Sequence, residues 1–184
     1  MTLARDVVGM EPLATLALGT VAVVVLLAIS AFFSSTEIAV FSLDAAWVDR
    51  EAAAGNDRAR RLQTLRTDPH RLLVTILVGN NVVNIAISSI VTVLLVGFLP
   101  GDLAAVAATV VVSALVLVCG EIVPKAYGLG NAEEWALRVA RPLAVAELLL
   151  TPLVFVFDGL TRRLGALLGG DEHIEQPYTG EEEQ

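Results

Sequence analysis

Three apolar stretches without a charged residue set the limits on what this chain can fold into: Leu13–Thr36, Leu72–Gly101 and Leu103–Gly120. Each reaches or exceeds the roughly 18–20 residues a helix needs to cross a bilayer. In lipid every backbone polar group must find a partner within the protein, so such runs become helices. The composition agrees. Of 184 residues, 55% are hydrophobic, and the mean hydropathy of +0.72 is rare for a soluble domain. The first run is not a cleaved signal peptide: it is too long, its basic start is weak (Arg5 beside Asp6), and it continues into polar residues. The expected fold is an all-α integral membrane protein. It has three transmembrane helices, about 13–43, 70–98 and 103–123, plus cytoplasmic juxtamembrane helices.

Charge sets the orientation. Arg50, Arg58, Arg60, Arg61, Arg66 and Arg71 crowd the first connection, whereas Leu99–Asp102 carries no cation. The positive-inside rule then places the Arg-rich loop and the C-terminus in the cytoplasm and the N-terminus outside. The expected location is the plasma membrane of a prokaryote. Cys119 is the lone cysteine, which excludes an internal disulfide and a cysteine metal cluster. It reads as a small buried apolar residue.

Within Asp44–Leu65, apolar residues at helical spacing and a break at Gly55-Asn56 predict two short helices near the headgroups. Asp68-Pro69 is a helix start, with Asp68 as N-cap. Asn131–Arg141 reads as an amphipathic helix. Pro142–Leu168 is apolar enough for a fourth span, but Glu147, Pro152 and Asp158 interrupt it. Arg138 and Arg141 precede it and Arg162 and Arg163 follow it, so a crossing would strand one pair outside. An in-plane helix over 142–168 keeps both pairs in the cytoplasm and is preferred. Residues 1–168 form one module. The acidic stretch 169–184 reads as a disordered tail or the start of a linker.

Polar residues inside the runs fall into three clusters. Ser30 and Ser34 share a face of the first helix with Glu37, and Asn80, Asn81 and Asn84 sit in the second. In the third, Gly120-Glu121 precedes Pro124. An ionisable residue in a span is a functional-site candidate. Pro124 is expected to break its helix, and it lacks the N–H that would serve the Gly120 carbonyl. Gly120 lets another group approach closely. Each cluster also has a plain reading: serines and asparagines glue membrane helices together, and Glu121 pairs with Lys125. Taken together, hydroxyls, amide oxygens, a carbonyl and one carboxylate suit a hard cation. Mg²⁺ takes six oxygens at about 2.0–2.1 Å, and Na⁺ accepts the same donors. Soft metals want Cys, His or Met, and the three runs hold only Cys119 of these.

Ser30-Ala-Phe-Phe-Ser34-Ser-Thr-Glu37, Val78-Gly-Asn-Asn-Val-Val-Asn84 and Gly120-Glu-Ile-Val-Pro-Lys125 resemble the transmembrane module of the CNNM/CorC family of Mg²⁺ transporters. The resemblance covers nearly the whole chain. It implies three spans, a belt-like juxtamembrane helix and a homodimer. It also implies Mg²⁺ held largely dehydrated by Ser30, Ser34, Asn81, Asn84, the Gly120 carbonyl and Glu121, with Asn80 adjacent. Family members usually continue through an acidic linker into CBS domains that bind ATP, and this chain ends near the start of such a linker. The expected function is Mg²⁺ transport, outward and coupled to Na⁺ entry, by alternating access. The alternative is a membrane Mg²⁺ sensor acting through other transporters. An enzyme is not expected, because no nucleophile–base pair occurs in the spans. Nucleic acid is not expected as a partner, because the Arg-rich loop suits anionic lipid.

Overall fold

The computed structural model describes the backbone of residues 12–167 and the side chains of residues 13–157. The acidic tail expected from residue 169 onward, and the side chains of Asp158, Arg162 and Arg163, lie outside the described residues. Among the described residues every regular element is helical: α1 (Pro12–Phe41), α2 (Ala45–Ala53), α3 (Asp57–Leu65), α4 (Pro69–Val96), α5 (Gly101–Leu115), a π-helical stretch Val116–Ile122, α6 (Val123–Gly130) and α7 (Ala132–Leu167).

Local chemistry sets the boundaries. Asp44 caps α2 by accepting from the Ala46 N–H at 2.9 Å. Gly55 turns the chain at φ +94°, a conformation an L side chain resists. Asn56 then caps α3, accepting from the N–H groups of Arg58 and Ala59. Asp68 accepts from the Arg71 N–H at 3.0 Å, with Pro69 opening α4.

Three expectations meet the structure differently. Among the described residues four helices are long and apolar enough, by length and composition, to cross a membrane, where three spans are expected: Leu13–Phe41, Pro69–Val96, Gly101–Gly130 and Ala132–Phe157. The expected boundary at Pro142 is absent, since α7 carries both Pro142 and Pro152 inside one 36-residue helix. Each proline removes one backbone donor, a local loss that a long helix can absorb without ending. Nor does Pro124 break its helix. The chain widens into the π-helical stretch just before it, and the Val123 N–H bonds the Val118 carbonyl five residues back. The wide turn takes up the misfit that the proline ring would otherwise force on the helix.

The helices divide into two compact units. One takes the chain up to Ser35 together with Asn80–Tyr127. In it Gly19 lies against Leu94, and α5 buries Ala104, Ala108 and Val112. The other takes Thr36–Gly79 and the chain from Gly128 on. Its core gathers Val48, Leu62, Leu72, Ile76, Ala140 and Leu143. Polar ties close this unit. The Arg66 guanidinium donates to the Leu43 carbonyl at 3.1 Å. Burial pushes the pKa of that guanidinium down, while Asp49 and Asp44 oppose the shift. Arg71 meets Glu147 at 2.9 Å and donates to the Thr151 hydroxyl at 3.4 Å. The charge that interrupts the apolar run of α7 is therefore neutralised from the start of α4.

Candidate oxygen-lined site

All of the site candidates belong to the first unit. Ser30 and Ser34 stand one turn apart on α1, both with no exposed surface. The Ser30 hydroxyl lies 2.9 Å from the Asn80 Oδ1 and 2.9 Å from the Asn84 Oδ1. Asn80 and Asn84 share a face of α4 because four residues make about one helical turn. The Asn80 amide nitrogen reaches back to the Glu121 Oε1 at 3.4 Å. Gly120, buried in the π-helical stretch, faces the same hydroxyl: a Cβ there would stand 2.8 Å from the Ser30 Oγ. Real Cβ atoms essentially never come that close, so the absent side chain is what lets α1 approach the third membrane-length helix.

Two features of this cluster are not those of ordinary helix packing. A hydroxyl has one hydrogen, so Ser30 donates to one amide oxygen at a time. The other oxygen then stands at hydrogen-bond distance from an acceptor. Ser34 is the second. Serines in apolar helices usually donate to a carbonyl one turn back. Ser35 does so, to Ala31 at 2.7 Å and Phe32 at 3.1 Å. The Ser34 Oγ is buried and has no hydrogen-bond partner among the described residues.

The structure brings Ser30, Asn80, Asn84, Gly120 and Glu121 together and buries Ser34 beside Ser30. Asn81 is exposed, one residue out of phase with the pair that faces Ser30. Asn80, which the resemblance leaves at the margin, joins the cluster. Glu121 accepts from the Asn80 amide, which ties the carboxylate of the third membrane-length helix to α4. Pro124 has no N–H to offer the Gly120 carbonyl four residues back or the Cys119 carbonyl five back. The second of these losses belongs to the π register, which the sequence does not reveal. Cys119 is exposed, not buried as expected. Thr36, in the other unit, is a buried hydroxyl without a partner among the described residues, and the sequence pattern assigns it no role. Among the described residues no three His, Cys, Asp or Glu side chains gather as a metal site. Any cation held here would meet one carboxylate and neutral oxygens.

The model of the Cyclin M transmembrane N-terminal domain (CNNM) matches residues 21–184. The chain is 36% identical over 142 residues to the UPF0053 inner membrane protein YfjD of Escherichia coli, covering 77% of this chain and 33% of that protein. It is 38% identical over 159 residues to the chloroplastic DUF21 domain-containing protein At1g55930 of Arabidopsis thaliana, covering 86% and 24%. A UPF0053 protein of Haemophilus influenzae is 31% identical over 173 residues, covering 94% and 40%. The chain thus spans between a quarter and two fifths of the length of these relatives. With its apolar helices and its match to the cyclin M transmembrane domain, this multi-pass membrane chain belongs to the CNNM family.

Proposed function

We propose that the chain moves Mg²⁺ across the membrane, with the ion seated among Ser30, Ser34, Asn84, Asn80, the Gly120 carbonyl and Glu121. The observation that carries this reading is the Ser30 hydroxyl, 2.9 Å from two amide oxygens at once, with the unpartnered Ser34 hydroxyl one turn away. A cation among these oxygens turns crowded lone pairs from a cost into ligation. One carboxylate leaves a divalent ion incompletely neutralised, which favours release as well as binding. Hard oxygen donors select Mg²⁺ or Na⁺ over softer metals. Alternating access would open the site first to the cytoplasm and then outside, outward and coupled to Na⁺ entry, in a homodimer.

Within this reading α1, α4 and α5–α6 cross the bilayer and α7 lies in the plane of the cytoplasmic face. The Arg71–Glu147 pair supports that arrangement. Arg71 stands at the start of α4 and Glu147 near the middle of α7. A helix crossing beside α4 would carry its middle towards the bilayer centre, away from the polar start of α4. The Arg-rich loop then faces the cytoplasm and the N-terminus lies outside.

The test is Mg²⁺ flux in proteoliposomes holding only the purified chain. Wild type should move Mg²⁺, and Glu121→Ala should abolish both binding and flux. Flux that persists in Glu121→Ala would overturn the site. Binding without flux in wild type would replace transport by sensing.

A further inference from the structure

The second unit contains a cavity of about 440 Å³ between the start of α3 and the first turns of α7. Its lining includes Arg58, Arg138 and Arg141 with Asp57 and Glu134. The carboxylates have cations of their own: Asp57 pairs with Arg60 at 3.1 Å, and Glu134 pairs with Arg138. Arg138 also lies over the Trp135 ring, 5.9 Å from its centroid. Among the described residues no carboxylate is within pairing distance of Arg58 or Arg141. The cavity therefore presents two uncommitted guanidiniums, each able to grip a phosphate bidentately.

What lies next to the cavity distinguishes a lipid from a soluble anion. Counting along α7 from Arg141, the same helical face continues through Val145, Leu148, Leu149 and Phe155. All four are exposed, Leu148, Leu149 and Phe155 by more than 70%. A charged pocket thus opens onto an uncovered apolar strip on one helix. We infer that this is a binding site for an anionic glycerophospholipid, its phosphate between Arg58 and Arg141 and its acyl chains along the exposed face of α7. A free phosphate or nucleotide would use the pocket and leave the strip bare. A second copy of the chain would cover the strip without needing the guanidiniums.

The full chain in detergent, without Mg²⁺, can be titrated with dioleoyl phosphatidylglycerol, dioleoyl phosphatidylcholine and inorganic phosphate, with binding read by native mass spectrometry and thermal unfolding. Phosphatidylglycerol should bind and stabilise; phosphatidylcholine and inorganic phosphate should do so far less. The pair Arg58→Gln/Arg141→Gln should weaken phosphatidylglycerol binding about thirtyfold, about fivefold for each cation. Arg58→Lys/Arg141→Lys should retain most of it, and helicity by circular dichroism should be the same in all three proteins. Equal binding of both lipids, or full binding by the Gln pair, would overturn the site. A full effect from inorganic phosphate alone would overturn the lipid as its occupant. A dimer that buries the α7 strip and excludes lipid would overturn it as well.

Discussion

Ser34→Ala should stabilise the empty protein and weaken the ion, two effects of opposite sign from one atom. The Ser34 Oγ is fully buried and lacks a partner. A buried polar group left unpaired costs about 1–3 kcal/mol. Replacing it with a methyl group removes that cost and leaves almost no cavity. For a chain of this size each kcal/mol moves the midpoint by about 2–4 °C, so the apo form should melt a few degrees higher. If the hydroxyl ligates the ion, its loss should raise the dissociation constant for Mg²⁺ about tenfold or more, which at saturating ligand removes about 1.4 kcal/mol of ligand-linked stabilisation. The assay is thermal unfolding in detergent, first with chelator and then across a Mg²⁺ titration. Ser35→Ala is the control, because the Ser35 hydroxyl already bonds its own helix and its removal should leave the Mg²⁺ shift unchanged. An apo midpoint that falls in Ser34→Ala, or a Mg²⁺ shift equal to wild type, would refute the reasoning.

Three other outcomes follow from the same geometry. Gly120→Ala places a Cβ 2.8 Å from the Ser30 Oγ, so it should cost about 1–3 kcal/mol by overpacking and reduce Mg²⁺ affinity, both read in the same titration. Asn84→Ala should abolish most Mg²⁺-dependent stabilisation while Asn81→Ala, an exposed position, leaves it intact; equal losses would show that the helical phase does not select the ligands. Arg71→Gln and Glu147→Gln, combined in a double-mutant cycle, should show coupling of about 1 kcal/mol, since the pair is only partly exposed and bonded at 2.9 Å; independent effects would remove this tie between α4 and α7.

The helical fold was legible because it rests on long-range composition: a run without charge has one stable backbone solution in lipid. The cap at Asp68 and the break at Gly55-Asn56 were legible because they are local. What escaped depends on partners far away in sequence. Glu147 looks like an interruption until Arg71, remote in the chain, meets it and neutralises its charge. Pro124 looks like a break because the sequence shows the missing donor and not the wide turn that absorbs it. The choice between Asn80 and Asn81 turns on helical phase relative to Ser30, and adjacent asparagines carry no sign of that.

The π-helical stretch has a further consequence in the rhythm of burial along its helix. From the start of α5 to Pro124 the buried positions are Ala104, Ala108, Val112, Gly120 and Pro124, all multiples of four residues apart. A straight α-helix turns about 100° per residue, so a four-residue repeat drifts about 40° per step. Over the twenty residues from Ala104 to Pro124 the drift would reach about 200°, and the two ends would face opposite ways. One residue taken up by a wider turn subtracts about 100°. The stretch therefore acts as a phase corrector, keeping Gly120 about 60° from Ala104 around the helix instead of about 160°. Deleting one residue between Val116 and Cys119 would let the helix wind regularly and leave Ala104, Ala108 and Val112 in their present phase with Gly120, whereas regular winding at full length would swing them about 100° out of step.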